Sequence, residues 1–241
     1  MRIAMWSGPR NLSTAMMYAF AARPDCAVID EPFYAAFLAA SQEVHPMQEA
    51  IMASQPSDPQ AVIDTCIGPV PQDKPVFYQK QMAHHMMADF PLGWLEQLTN
   101  VFLLRHPARV LASYDEKRQN PSLEDIGVTQ QTRLFERVRA LHGKAPVVID
   151  SDDILAAPER GLRALCQAIG LPFDASMLSW PAGGNAADGV WAPHWYNRVW
   201  ASTGLAATQP KPLPELPPAL ARVCQQALPH YEALAQHKLA F

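Results

Sequence analysis

The sequence predicts an α/β domain with a central parallel sheet of about five strands and helices on both faces. Three observations carry that expectation. Short apolar runs alternate with helical patterns from Ile3 to Asp150. Hydrophobic residues make up 49% of the chain and charged residues 17%, which suits a large buried core rather than disorder. Polar, chemistry-bearing residues stand where the apolar runs end, the carboxyl edge at which open parallel sheets bind ligands.

Ile3, Ala4, Met5 and Trp6 read as the first strand and Ser7 to Leu12 as a turn. Ser13 or Thr14 reads as the N-cap of a helix through Met16, Met17, Tyr18 and Phe20. A helix entered directly from a strand presents its first free N–H groups and its positive dipole end at the sheet edge. Arg10 adds a cation there, so an anion is the natural ligand. The loop differs from the nucleotide triphosphate motif G-x-x-x-x-G-K-[ST], because Ser13 fills the lysine slot and the cation stands at the fourth position. Gly8-Pro9 after a strand is also ordinary turn chemistry.

Cys26 to Ile29 is the second strand, ending in Asp30-Glu31-Pro32. Glu31 faces the same crevice as Arg10 if the first two strands are neighbours; the alternative is an acidic turn before a proline. Residues 35–70 read as a helical insertion of two or three helices, broken at Pro46 and at Pro56 to Pro59, covering the ligand edge. Val76 to Gln79 is the third strand, and Lys80 stands at its end. His84-His85 invites a metal reading, but adjacent residues point to different sides of a helix and no Asp, Glu or Cys spacing accompanies them, so no metal is expected.

Asn100 to Leu104 is the clearest strand, and Pro107 marks the first turn of the helix after it. Arg105 stands at that junction and Ser113 about two turns on, a spacing that lets both flank one anion, unless the segment is plain surface helix. Gln130 to His142 is a helix, Val147 to Asp150 the fifth strand, and Asp150 the one residue suited to a Walker-B metal role. Pro158 to Ile169 reads as an amphipathic helix stopped by Gly170, with Pro172 beyond. Four of the six tryptophans, Trp180, Trp191, Trp195 and Trp200, crowd together with His194, Tyr196 and Arg198. That density suits a pocket wall, a self-association surface of a homodimer, or an aromatic satellite core. Prolines 210, 212, 214, 217 and 218 mark residues 209–218 as an extended connector before a closing helix, Leu220 to Leu234. One domain over residues 1–241 is the expectation.

The formal net charge of −4 disfavours nucleic acid as a partner, so an anionic ligand must be held by a local Arg and Lys cluster. No apolar run approaches the roughly 20 residues of a membrane span, so no membrane partner is expected. The four cysteines are far apart and read as reduced core thiols. The apolar stretch after Arg2 breaks too early for a secretory signal, and a cytoplasmic home is the default expectation.

With these elements placed, the chain resembles the sulfotransferases that use 3′-phosphoadenosine 5′-phosphosulfate (PAPS). Their 5′-phosphosulfate loop has a basic residue at its fourth position followed by small hydroxyl residues, as Arg10, Ser13 and Thr14 stand here. Their 3′-phosphate element is a strand ending in Arg with Ser eight residues later, as Arg105 and Ser113 stand. In the carbohydrate and tyrosyl-protein branches a Glu shortly after the first helix, often before Pro, is the base, and Glu31 fits that place. The match covers roughly the first half of the chain. Relatives usually have Gly before the hydroxyl pair; Leu12 stands here instead, disfavouring positive φ and leaving Asn11 to absorb the turn.

The resemblance implies a three-layer, P-loop-like α/β fold, PAPS as co-substrate without a metal, and a small-molecule or carbohydrate acceptor bearing a hydroxyl or amine. It implies nucleotide contacts at Arg10, Asn11, Leu12, Ser13, Thr14, Arg105 and Ser113. Glu31 is then the base and Arg10 the sulfuryl-charge stabiliser. Lys80 is a second stabiliser and His84 a rival base, after the cytosolic branch's Lys-x-His pair, although the offset here is four residues. Two other readings stand beside this one. One is a kinase using ATP and Mg²⁺ on Asp150 or Asp30, which lacks the loop lysine; the other is an inert module that senses adenosine 3′,5′-bisphosphate.

Overall fold

The computed structural model describes residues 1–241 apart from Gln42, Val44 and Pro210. Two residues of the expected 35–70 insertion, and Pro210 of the expected connector, therefore lie outside the described residues. Strands β1 (Arg2–Ser7), β2 (Cys26–Asp30), β3 (Val76–Met82), β4 (Thr99–Leu104) and β5 (Val147–Asp150) form one sheet in the order β2-β3-β1-β4-β5. Every pairing is parallel, which requires a crossover between successive strands and puts helices on the faces.

The helices are α1 (Ser13–Ala21), α2 (Tyr34–Ser41), α3 (Gln48–Ser54), α4 (Pro59–Ile67), α5 (Pro107–Asp115), α6 (Val128–His142), α7 (Ser151–Ala156), α8 (Pro158–Ile169), α9 (Ala192–Trp195), α10 (Asn197–Trp200) and α11 (Pro218–Ala235). Alternate residues of β1 feed two separate cores, as strand geometry demands. Ile3 and Met5 pack with Met16, Met17 and Phe20 of α1 and with Leu162, Leu165 and Cys166 of α8. Ala4 and Trp6 pack on the other face with Val62 and Ile63 of α4, with Leu134, Phe135 and Val138 of α6 and with Leu234 of α11. The result is the expected three-layer α/β fold with β1 at its centre.

Several local expectations change. Helix α1 is capped by neither hydroxyl residue; Leu12 is its N-cap, in the left-handed region, with no side-chain cap. Strand β3 runs three residues further than Gln79, because Lys80 and Gln81 are polar yet buried through internal partners. Strand β3 also lies between β1 and β2, so the crevice shared by Arg10 and Glu31 does not come from adjacent strands. Of the helices between β2 and β3, α2 lines the ligand edge, whereas α4 packs on the sheet face.

The tryptophan-rich stretch forms part of a core and a cavity wall. Trp180 joins the α1 side of the core, Trp191 is buried beside Tyr34 and Tyr196, and Trp195 lines the cavity. The four cysteines are free and buried. No helix among the described residues is long and apolar enough to cross a membrane.

Candidate functional site

The carboxyl ends of β1 to β4 open into one cavity of about 620 Å³. Its wall includes all ten residues singled out from the sequence: Arg10, Asn11, Leu12, Ser13, Thr14, Glu31, Lys80, His84, Arg105 and Ser113. Two ends of differing chemistry face each other across it.

At the loop end, the segment after β1 is pinned from below. The Asn11 side chain donates to Leu103 O (3.2 Å). The Ser151 hydroxyl lies 2.8 Å from Asn11 O, and Gln131 ties Trp6 O to Leu103 O (3.0 Å each). Gly8 is needed for close approach rather than for a turn, since a Cβ there would meet Ile126 O at 2.3 Å. Arg10 and Leu12 have φ of 61° and 69°, with Asn11 between them outside the positive range. The expectation that Asn11 would absorb the turn is thus reversed. Alternating signs of φ turn successive N–H groups to one side, a concavity suited to an anion. The first helical bond of α1 comes from Met16 N–H to Leu12 O (3.0 Å), so helix geometry leaves the amides of Ser13, Thr14 and Ala15 without intrahelical acceptors.

Cations converge on that concavity. Arg10 Nε donates to Ser113 Oγ (2.9 Å), and Arg105 Nη1 donates to Arg10 O (2.7 Å), so the loop and the β4–α5 element form one unit. Among the described residues Arg10 has no carboxylate within ion-pair distance, whereas Arg105 has Asp152 at 3.8 Å. Burial, then the neighbouring Arg198 guanidinium, pulls the Arg10 pKa below its ordinary value, with Arg105 adding to the effect.

The other end is a buried charge network. Asp30 and Lys80 are register partners on β2 and β3. The Lys80 ammonium donates to Asp30 Oδ1 (2.9 Å), to Glu31 Oε1 and to the Tyr196 hydroxyl (2.6 Å). Its three hydrogens thereby have three protein acceptors, so the ammonium expected to stabilise a sulfuryl group is instead tied to its neighbours. Glu31 has φ of 40°, a strained conformation held by its N–H to Lys80 O (3.0 Å) and by Gln55 on its carbonyl (3.1 Å). Such strain clusters at functional sites. Burial pushes the Glu31 pKa up, opposed by Lys80 and assisted by Asp30.

His84 and His85 lie on one 3₁₀ turn, Ala83–His85. His85 is stacked between Tyr34 (4.4 Å) and Phe37 (4.9 Å). Burial pushes the His84 pKa down to about 3 and drives His85 well below its usual value. Both imidazoles are neutral near pH 7.

The carboxylates considered for a metal are already engaged. Asp150 accepts from Asp152 N (2.8 Å) and from the Tyr231 hydroxyl (2.9 Å); Asp30 holds Lys80, Tyr196 and Gly189 N–H (3.1 Å). Tyr34, Tyr114, Arg118 and Tyr196 also line the wall. Tyr196 was visible only as one member of the aromatic stretch, and the other three carried no signal.

The family model described as the sulfotransferase domain matches residues 1–238. The chain belongs to the sulfotransferase family. Solved relatives share the fold: a sulfotransferase from Alicyclobacillus acidocaldarius has a TM-score of 0.55 over 99% of this chain and 97% of that one, at 12% identity. The sulfotransferase domain of the Synechococcus PCC 7002 olefin synthase has a TM-score of 0.50 over 93% of each chain, at 16% identity. Two curated Arabidopsis thaliana proteins, branched-chain-amino-acid aminotransferase-like proteins 1 and 2, are 35% and 34% identical over 98% of this chain. The chain spans only 42% and 41% of their lengths. The stretch they share with this chain is thus the stretch that matches the sulfotransferase model.

Proposed function

We propose that this sulfotransferase moves a sulfuryl group from PAPS to a hydroxyl or amine of a small-molecule or carbohydrate acceptor. The observation that carries the reading is the pairing, across one cavity, of an anion-binding concavity with a buried carboxylate. The donor set suits PAPS: a helix start with no side-chain cap and a guanidinium with no carboxylate partner, both among the described residues, and a second guanidinium and a serine beside it. When bound, PAPS supplies the activated sulfuryl group and its leaving phosphate. Arg10 and the amides at the start of α1 hold the 5′ anion and the charge that grows on it, with no need of a metal. Arg105 and Ser113 hold the 3′-phosphate.

Glu31 takes the acceptor's proton at its Oε2, because Oε1 is engaged by Lys80. A carboxylate raised toward neutrality by burial is suited to that task. The His84 imidazole, with its pKa pushed down to about 3, is a much weaker base.

The test is calorimetry followed by turnover. Titration with adenosine 3′,5′-bisphosphate in chelator should give binding, and ATP with Mg²⁺ should give little. Radiolabelled PAPS should then pass its sulfur to members of a pool of hydroxyl and amine compounds. Preference for ATP with Mg²⁺ would overturn the reading, and bisphosphate binding without transfer to any member of the pool would favour the inert module.

A further inference from the structure

We propose that Tyr196 is a positioning residue which, with Asp30 and Lys80, locks the Glu31 carboxylate with one oxygen left free toward the cavity. This rests on the reading of Glu31 as the base. The hydroxyl of Tyr196 is buried at the meeting point of four groups: Asp30 (2.7 Å to Oδ2), Lys80 (2.6 Å), Trp191 Nε1 (3.0 Å) and Glu31 Oε1 (3.2 Å). A phenol has one hydrogen and two lone pairs. Lys80 and Trp191 have only hydrogens to give, so both lone pairs are used and the single hydrogen goes to the nearest carboxylate, Asp30.

Asp30 is thereby bound by three donors. Its Oδ1 faces Lys80 (2.9 Å) and its Oδ2 accepts from Gly189 N–H (3.1 Å) as well as from Tyr196. Gly189 has no room for a side chain, since a Cβ would lie 2.1 Å from the Trp191 ring; that close packing fixes Trp191 against the tyrosine. Lys80 is thus held by Asp30 and Tyr196 and offers its remaining hydrogen to Glu31 Oε1. Glu31 Oε2 has the neutral His85 imidazole beside it, with Nε2 at 3.9 Å, beyond hydrogen-bond range.

One ammonium serves two carboxylates, and because Asp30 is the better satisfied, Glu31 carries the uncompensated charge. The titratable groups facing Glu31 are Asp30 on β2, Lys80 on β3, His85 on the following turn, Tyr34 on α2, Tyr114 on α5, and Tyr196. Burial and Asp30 raise its pKa and Lys80 lowers it; the Tyr196 hydroxyl acts through Asp30, whose negative charge it disperses by donating its one hydrogen there. Removing the tyrosine hydroxyl and removing the aspartate charge should therefore move Glu31 in opposite directions.

The experiment follows the Glu31 carboxyl carbon by NMR across pH in full-length chain labelled with ¹³C-glutamate, the resonance being assigned by its loss in Glu31→Gln. Tyr196→Phe should raise the Glu31 midpoint by about half to one pH unit. Asp30→Asn, which keeps the shape and removes the charge, should lower it. Adenosine 3′,5′-bisphosphate affinity should stay within about twofold in both variants, since neither residue touches the loop.

Unchanged Glu31 midpoints in both variants, or shifts of the same sign, would overturn the proposal. If Tyr196→Phe does not fold, the Asp30→Asn shift alone decides it by its sign. Because this readout does not use turnover, its failure is separate from failure of the base assignment, which would appear as Glu31→Gln retaining transfer.

Discussion

The two ends of the cavity handle charge in opposite ways. At the loop end the cations are only partly matched: Arg105 has a distant Asp152 (3.8 Å), Arg198 pairs with an exposed Glu116 (2.7 Å), and Arg10 has a serine hydroxyl. At the β2–β3 end, Lys80 and Asp30 are each 1% exposed at the side chain and Glu31 is 10% exposed, all three in mutual contact. Charge left unmatched beside solvent is available to a ligand that brings the opposite sign. Charge tied to buried neighbours contributes little affinity and serves geometry, because breaking a buried pair is far more costly than losing a surface one. The loop end should therefore govern binding and the buried end the chemical step.

The largest effect that could break this division is on turnover. Glu31→Gln should lower kcat by roughly 10² or more with nucleotide affinity nearly intact, whereas His84→Asn should cost much less. In wild type, kcat/KM should rise with pH through a midpoint above the ordinary carboxylate range, because the raised Glu31 must lose its proton before it can act. A dead His84 variant beside a working Glu31 variant would reverse the assignment.

Next in size, Arg105→Ala should weaken adenosine 3′,5′-bisphosphate binding by about tenfold to 100-fold, the scale of a lost charge-assisted bond. Ser113→Ala should cost less, since its hydroxyl is neutral and Arg10 keeps its own charge. Calorimetry on both variants checks this, and unchanged affinity in Arg105→Ala would show that the cations at the loop end do not govern binding.

A smaller effect concerns stability. His84 and His85 titrate near 6.5 when unfolded but lower when folded. The unfolded chain therefore binds more protons below about pH 6.5. Stability should fall as the pH is lowered, by up to about 1.4 kcal/mol per unit for each histidine, continuing toward about pH 3 for His84. The raised Glu31 acts with the opposite sign, since its folded form holds a proton that the unfolded chain has released. Urea unfolding at pH 7 and pH 5 should show a net loss that is smaller in His84→Asn. A flat profile would mean that the imidazoles are hydrated.

The loop end was legible in the sequence because its parts are local. The Arg10 loop follows its strand directly, and Arg105 and Ser113 share one strand-to-helix junction, so residue type and offset sufficed to place them. The buried end was not legible, because it depends on strand order. Asp30 and Lys80 become partners only through the register in which β2 pairs with β3, and Tyr196 reaches them from 116 residues beyond Lys80. Reading strand β3 as ending at Gln79 had the same cause: the polar Lys80 and Gln81 look like a loop until their buried partners are known. The β-strand cores around Ile3 to Trp6 and Val101 to Leu104 were legible as runs buried on both faces, where apolar content needs no knowledge of the neighbour.

The smallest test sharpens the one feature of the loop that the sequence argued against. Leu12 is left-handed, with φ of 69° and ψ of 5°, a conformation that costs a non-glycine residue on the order of 1 kcal/mol. Its side chain packs against the α1 side of the core, and half-burying a leucine contributes roughly 1 kcal/mol in return. Leu12→Ala keeps the strain and loses the packing, so it should be destabilised by about 1 kcal/mol, a fall in Tm of roughly 2 to 4 °C for a chain of this size. Leu12→Gly loses the same packing but releases the strain, and should be more stable than the alanine variant even though glycine gives the unfolded chain more freedom. That ordering is the reverse of the usual one at helix positions, where alanine is favoured by about 1 kcal/mol. Thermal unfolding of the two variants decides it, and an alanine variant more stable than the glycine variant would show that the loop relaxes to negative φ and that no fixed concavity awaits the anion.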